Sequence, residues 1–243
     1  MITLGADTST RSLTVALVEE NKTLAEYNSR ADSMHSSLLI PTVAKALKKS
    51  RSKISDIGLF SVGIGPGSFT GLRVGLASIR AMAIALGRPV AGVPTMDAVA
   101  YNGLAYLKRK GIIEVCPNIC PVIDARKGQV YYCVYSHKKG DMIRKTDYLL
   151  GPADALAGRL RASALFLGDG AAVYKDRLSR PGRSRAYFLE GNGWLPRASV
   201  IARMGIKRYE DTGGEDPYGL LPLYLYARDC NVKRGRAGRG GVR

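Results

Sequence analysis

The sequence predicts an α/β protein of two related lobes. Three observations lead there. A strand, an Asp-led turn, two more strands, a helix, a strand and a glycine turn follow one another early in the chain, and the same rhythm returns from residue 119 to 170 in different residues. Apolar side chains alternate in the short segments and recur at three- and four-residue spacing in the long ones. An apolar strand at 59–64 runs directly into a turn crowded with Gly and Pro and then into a helix start.

Residues 2–7, 12–18 and 23–29 are expected as strands, the second with Leu13, Val15 and Leu17 on one face, and Asp7-Thr8-Ser9-Thr10-Arg11-Ser12 as the first turn. Residues 33–50 are a helix capped by Asp32 or Ser33, with Lys45, Lys48 and Lys49 complementing its C-terminal dipole. After strand 59–64, Ser68 or Thr70 caps a helix at 70–86 that Gly87 and Pro89 end. The first amides of that helix lack internal partners, so strand, glycine turn and helix start make a natural anion cradle. A short strand near 90–93 precedes a helix at 95–107. In the second half, strands are expected at 119–123, 129–136, 143–150 and 164–167, a turn at 124–128, and helices from 152 to 160 and 198 to 209. Residues 181–197, rich in Gly, Pro and Arg, suggest a loop. The expected organisation is an N-terminal lobe at 1–105 carrying partner-binding helices, a second lobe at 106–216, an apolar C-terminal segment at 217–231 packing back, and a disordered basic tail at 232–243.

The chain has 243 residues, 46% of them hydrophobic, enough to bury a substantial core. No apolar run is expected to reach the roughly 18–20 residues of a membrane span, and Met1-Ile2-Thr3-Leu4 enters a strand without a basic n-region, so a cytoplasmic protein with no membrane contact is expected. Cys116 and Cys120 are four apart, which does not fit a zinc ribbon or a redox pair; buried thiols are expected. The net charge is +17, and residues 102–243 hold 26 Lys and Arg against 13 Asp and Glu, a net +13. Such a surplus favours contact with phosphates, with nucleic acid the obvious source. The end, Lys233-Arg234-Gly235-Arg236-Ala237-Gly238-Arg239-Gly240-Gly241, has no acid and little to pack.

Helix 70–86 is apolar nearly all round. Leu72, Leu76, Ile79, Ala83 and Leu86 suit burial against a sheet, while Ala77, Ala81 and Ala85 form a small-residue line that lets another helix approach; helix 33–50 of the same chain or a partner subunit could supply it. Asp7 and Asp124 open the two halves in turns of the kind that face each other across a nucleotide cleft, but Arg126 and Lys127 precede Gly128 where close phosphate approach wants glycine, which favours a degenerate site formed by Asp7, Ser9, Asp124, Arg126 and Lys127. Hydrolytic chemistry finds little support: Leu39 stands four residues after His35, where a helical metal pair needs its second ligand, and Ser68 lacks a nucleophile-elbow setting.

Asp7-Thr8-Ser9, His35-Ser36-x-x-Leu39-x-Pro41 and above all Gly65-Pro66-Gly67-Ser68-Phe69-Thr70-Gly71-Leu72-Arg73 resemble the TsaB (YeaZ) family, with thinner similarity later at Asp124-Ala125-Arg126, Gly168-Asp169-Gly170 and Pro222-Leu223-Tyr224-Leu225. The resemblance implies an actin-like ATPase (ASKHA, ribonuclease H-like) fold and a part in making N6-threonylcarbamoyladenosine in tRNAs that read codons starting with A. It implies a non-catalytic relative of the catalytic subunit TsaD, with no catalytic residue, metal or cofactor of its own and a subunit junction where a nucleotide could sit. TsaD is the implied heterodimer partner, TsaE joins them, and TsaC and tRNA are indirect partners; because helix faces of this type often pair by two-fold symmetry, a homodimer is expected when TsaD is absent. The interface is expected at Met34, His35, Leu38, Arg73, Ala77, Arg80, Ala81 and Ile84, with the arginines pairing acids on the partner. The rival reading is an ATP-dependent kinase or ATPase of the same fold, with Asp7 and Asp124 on Mg²⁺ and Gly168-Asp169-Gly170 at the adenosine. A third is a tRNA-binding subunit acting through the basic second half and tail.

Overall fold

A computed structural model of the chain describes residues 1–30, 35–138, 141–179 and 185–225. The first half folds as β1 (Ile2–Asp7), β2 (Ser12–Glu19), β3 (Lys22–Arg30), α1 (His35–Ser50), β4 (Ile57–Gly63), α2 (Phe69–Leu86), β5 (Val90–Val93) and α3 (Thr95–Lys110). The second runs β6 (Asn118–Asp124), β7 (Gln129–Tyr132), β8 (Tyr135–Lys138), β9 (Asp141–Arg144), β10 (Leu149–Pro152), α4 (Ala153–Arg159), β11 (Ala164–Leu167), α5 (Asp169–Val173), α6 (Lys175–Leu178), β12 (Ala186–Leu189) and α7 (Ala198–Thr212).

The two sheets share one topology. The first has the order β3-β2-β1-β4-β5, antiparallel through β1 and parallel beyond it. The second has the order β10-β7-β6-β11-β12 with the same directions, and β8 and β9 extend it beside β6. This duplicated plan is an actin-like ATPase fold, and it is built on period-two burial. Leu13, Val15 and Leu17 of β2 enter the core shared with α1 and α2, whereas Ala16 and Val18 face α7. In the second sheet Ile119 and Ile123 pack toward α3, and Cys120 and Val122 toward α4 and α6.

The helices that end the two halves are exchanged. α3 follows the first sheet but packs on β6 and β11 of the second; α7 follows the second but packs on β1, β2, β4 and β5 of the first, and the two helices touch. Residues 198–212 were expected in the second lobe because they follow it in sequence; their contacts lie with the first. The fit of α7 depends on small residues. A Cβ on Gly5 would lie 2.2 Å from the Ala198 carbonyl oxygen, one on Gly205 would lie 2.2 Å from Ser61 Oγ, and Ser61 Oγ donates to the Ile201 carbonyl at 2.8 Å. The first turn of α7 is held by side chains of the first sheet: Ala198 N donates to Thr14 Oγ1 at 3.0 Å, and Ser199 N to Glu26 Oε1 at 2.9 Å.

Several expected elements differ. The segment 129–136 is two strands, because β7 pairs with β10 while β8 pairs with β9, and Val134 between them donates its N–H to Thr146 Oγ1. The segment 143–150 divides likewise between β9 and β10. The expected loop at 181–197 contains β12, whose four residues pair in parallel with β11; Gly, Pro and Arg on both sides hid so short a strand. α2 also corrects the membrane reading: its 18 residues are long and apolar enough to cross a bilayer, its two arginines notwithstanding. Leu72, Leu76, Ile79 and Ala83 are instead buried in the protein, against the first sheet and α1.

Candidate functional site

The strand–glycine–helix string at the start of α2 is closed by the chain itself. Ser68 N donates to Ser9 O at 2.7 Å, and Gly71 N donates to Ser68 Oγ at 3.2 Å, so Ser68 is the cap. Thr8 Oγ1 donates to Gly71 O at 2.7 Å. The glycines permit this approach: a Cβ would lie 1.7 Å from Asp7 Oδ2 at Gly63, 2.2 Å from Ser9 O at Gly67 and 2.0 Å from Thr8 O at Gly71. The anion cradle expected there is thus a seat for the β1–β2 turn, with the Ser68 amide taken by the Ser9 carbonyl and the Gly71 amide by the Ser68 hydroxyl.

The same packing removes Asp7 and Ser9 from any cleft. Both are buried. Asp7 Oδ1 accepts from Ser9 N and Ser9 Oγ, at 2.8 and 2.7 Å, and Asp7 Oδ2 accepts from Thr95 Oγ1 at 2.7 Å. Thr95 Oγ1 also accepts from Gly65 N. The carboxylate ties β1, the glycine loop and the start of α3 together, and a buried carboxylate needs such donors.

The second turn is open by comparison. Arg126, Lys127 and Gly128 all adopt left-handed backbone conformations, with φ of 69°, 52° and 76°. For the two non-glycine residues this conformation is strained. Asp124 Oδ1 accepts from Arg126 N at 2.9 Å and from Tyr174 OH at 3.2 Å. The Arg126 and Lys127 side chains are exposed. Asp169 Oδ1 accepts from Asp124 N and Gly170 N, linking this turn to α5; burial raises the Asp169 carboxyl above its ordinary range, against the lowering effect of those N–H groups. Of the expected nucleotide-cleft residues, Asp7 and Ser9 are thus buried and bonded within the first lobe, while Arg126 and Lys127 stand exposed on the second turn beside Asp124.

The expected partner face is divided. Ile40 on α1 and Ala77, Ala81 and Ile84 on α2 are exposed, with Ile40 at 50% and Ile84 at 38%. Leu38 is half-buried against the first core. Met34 lies outside the described residues, and His35 is the first residue of α1. The arginines, expected to reach for a partner's acids, are engaged by the chain's own C-terminal segment. Arg73 Nε donates to Tyr224 OH at 3.1 Å and its guanidinium lies over the Phe69 ring, 3.7 Å from the centroid. Arg80 donates to the carbonyls of Tyr218 and Leu220. Leu220 is buried in the first core, and Leu223 N donates to Ile64 O. So α1 covers one flank of α2, residues 218–224 another, and a strip between remains open.

Between the lobes lies a cavity of about 700 Å³ that the sequence reading missed. The β1–β2 turn supplies Arg11, α3 supplies Asn102, Tyr106 and Arg109, α5 supplies Asp169, and the loop before α7 supplies Trp194. Asp169, in Gly168-Asp169-Gly170, and Arg11, in the first turn, belong to segments singled out from sequence; the others do not. A signal existed: Trp194, the sole tryptophan, sits in Gly191-Asn192-Gly193-Trp194, an unusual setting for a large aromatic. A separate polar cluster at Asp97 is structural: its Oδ1 accepts from Tyr135 OH at 2.5 Å and Tyr148 OH at 2.7 Å, fastening α3 to the second sheet, and burial followed by the nearby carboxylate raises both phenols. Among the described residues no group of three His, Cys, Asp or Glu is placed to hold a metal.

Comparison with known proteins matches residues 26–190 to the family model described as TsaD, tRNA N6-adenosine threonylcarbamoyltransferase. The tRNA threonylcarbamoyladenosine biosynthesis protein TsaB of Bacillus subtilis is 28% identical over 96% of this chain and 97% of its own length. An uncharacterized protein of Mycobacterium tuberculosis is 34% identical, over 84% of this chain and 91% of its own. The solved structure of YeaZ from Pseudomonas aeruginosa superimposes with a TM-score of 0.77 at 26% identity, covering 92% of this chain and 99% of that one. Matched along nearly its whole length and in its duplicated fold, the chain belongs to the TsaB (YeaZ) family, a TsaD-type group, and serves in tRNA threonylcarbamoyladenosine biosynthesis.

Proposed function

We propose that the chain is a non-catalytic scaffold subunit that docks TsaD through the open strip of α1 and α2, and so supports N6-threonylcarbamoyladenosine formation in tRNAs reading codons that start with A. The observation that carries the reading is the exposed line of Ala77, Ala81 and Ile84 beside Ile40, where small side chains leave room for a partner helix to approach closely. TsaE, TsaC and tRNA are the further participants, the cytoplasm is the site of action, and the same strip pairs two copies of the chain when TsaD is absent. Support for the absence of catalysis comes from Asp7, whose two carboxylate oxygens are engaged by Ser9 and Thr95; the rival ATPase reading needs that carboxylate on Mg²⁺.

The test is co-purification with TsaD. Ala77→Trp with Ala81→Trp, both at exposed positions, should leave the unfolding temperature near wild type and abolish the complex. Retained binding by the folded double variant would remove the assignment of this strip. Reconstituted tRNA modification with this chain omitted should fall to background, and turnover of Mg-ATP by the isolated chain would restore the rival.

A further inference from the structure

Residues 218–224 are fastened along the flank of α2. Leu220 is buried in the first core, Leu223 N donates to Ile64 O at 2.8 Å, and Arg80 donates to the carbonyls of Tyr218 and Leu220. Tyr224 meets the start of α2: its ring centroid lies 5.3 Å from that of Phe69, and its hydroxyl accepts from Arg73 Nε. These contacts fix the point from which the rest of the chain departs. That point lies at the first turn of α2, about 12 Å along the helix from Ala77 at 1.5 Å per residue, and so beside the open strip.

Residues 226–243 lie outside the described residues, and their sequence has one dominant character. Residues 232–243 hold five cations, Lys233, Arg234, Arg236, Arg239 and Arg243, and no Asp or Glu to neutralise them. Their apolar side chains are Val232, Ala237 and Val242. That is too little for a bilayer interface, where basic residues are joined by an apolar face or a lipid chain. No aromatic is present to stack on a base. What remains is phosphate recognition. Four guanidiniums each offer a planar fork to phosphate oxygens, and the interspersed glycines put no Cβ between backbone and phosphate. Such contacts hold a nucleic-acid backbone without reading its bases. Because the chain serves in tRNA threonylcarbamoyladenosine biosynthesis, the nucleic acid is RNA.

The place of departure gives this chemistry a use. Lys233 is eight residues beyond Leu225 and Arg243 eighteen, which limits their distances from it to about 28 and 63 Å. RNA held by these residues is confined near the strip, and its local concentration there rises.

We propose that residues 232–243 bind RNA through its phosphate backbone, without sequence preference, and that residues 218–224 root this tail beside the strip so that the RNA is presented to the docked partner. Presentation rests on the docking reading above; RNA binding does not and is measured on the chain alone.

The test is fluorescence anisotropy of two labelled RNAs, a tRNA that reads a codon starting with A and a hairpin of unrelated sequence. Each is titrated with the full chain from about 50 to 300 mM KCl. Log affinity should fall with log salt alike for both. Lys233→Gln, Arg234→Gln, Arg236→Gln, Arg239→Gln and Arg243→Gln, made together, should flatten that slope by about 3–4 and weaken binding about 10-fold or more. Lys22→Gln, Lys45→Gln, Lys48→Gln, Lys49→Gln and Lys207→Gln, at exposed positions on the body, remove the same charge and should change the slope by less than about 1. Thermal unfolding checks the fold of both variants. The tail variant should still co-purify with TsaD, and in reconstituted modification its KM for tRNA should rise about 5-fold or more with kcat unchanged. An unchanged slope in the tail variant, equal flattening in the body variant, a preference of more than about 10-fold for one RNA, or tail-dependent binding to phosphatidylserine vesicles without RNA binding would overturn the proposal. Lost RNA binding with an unchanged KM would overturn presentation to the partner. Lost docking in the strip variants with RNA binding intact would leave RNA binding supported and overturn presentation.

Discussion

Replacing Gly71 by Ala puts the seating of the glycine loop on the β1–β2 turn to a decisive test. By helix propensity alone the change favours folding, since alanine is better than glycine in a helix by about 1 kcal/mol. The structure reverses the sign. A Cβ on Gly71 would lie 2.0 Å from Thr8 O, and ordinary contact begins at 3.4 Å. Because the opposing atom belongs to the backbone, no rotamer change relieves the clash, and α2 must move away from the turn. Overpacking of this kind costs about 1–3 kcal/mol, occasionally more. A clash of this depth against backbone belongs at the upper end of that range, about 3 kcal/mol, so after the propensity gain of about 1 kcal/mol the net expectation is a loss of about 2 kcal/mol, or roughly 4–8 °C in unfolding temperature for a chain of this size. Gly75 supplies the internal comparison, because its Cβ would meet Thr8 Oγ1 at 2.2 Å and Thr8 Cβ only at 3.4 Å. Gly75→Ala should destabilise by about 1 kcal/mol, but Thr8→Ala removes the offending oxygen, so the double variant should be more stable than the two single changes predict. Gly158→Ala, which meets nothing within 4 Å, should be neutral or slightly stabilising. Thermal unfolding of the five variants beside wild type measures the set. A Gly71→Ala protein as stable as wild type would refute the reasoning and return the loop to a role as an open anion cradle.

Glu26 gives a pH-dependent prediction. Burial by itself would raise its carboxyl, but the Arg197 guanidinium and the Ser199 N–H outweigh it and hold the group below the ordinary glutamate range. Its contribution is therefore full above the ordinary value of about 4.3 and fades as pH falls through the lower folded-state value. Glu26→Gln should unfold more easily than wild type near neutrality, by about 1–2 kcal/mol, and the gap should close on acidification; a gap that widens in acid would contradict the assignment. Cys116, Cys120 and Cys133 are buried, and burial pushes the Cys116 thiol up to about 11 and raises the other two. Peptide mass spectrometry after iodoacetamide treatment near neutral pH should find these three unmodified until the chain is unfolded. Tyr224→Phe removes the hydroxyl that accepts from Arg73; it should loosen the C-terminal segment, seen as faster hydrogen exchange around residues 218–224, with little change in the unfolding temperature.

Most of the order of strands and helices was legible because it follows from local pattern; β12 and the division of 129–136 and 143–150 into separate strands were not, because they depend on pairing with distant strands. Leu13, Val15 and Leu17 announce a half-buried strand, Gly87 announces a helix end, and the recurrence of the rhythm announces a second lobe. The family resemblance was legible for a related reason, since the glycines from 63 to 75 are demanded by close approach and leave a dense string. The function of that string was not legible. An orphan amide at a helix start and an amide filled by Ser9 O have the same sequence, and only the position of a turn some sixty residues earlier distinguishes them. The same limit hid the capture of Arg73 and Arg80 by residues 218–224, and the exchange of α3 and α7 between the sheets.

The sequence by itself determined most of the elements, the duplication and the family, because apolar periodicity, caps and glycine requirements act over a few residues. The tertiary structure alone decided which face of α2 stays open, that Asp7 is a buried tie rather than a ligand, and that Arg11, Arg109 and Trp194 line one cavity. Those outcomes depend on contacts between segments far apart in the chain, and no local pattern encodes which distant surface will cover a side chain.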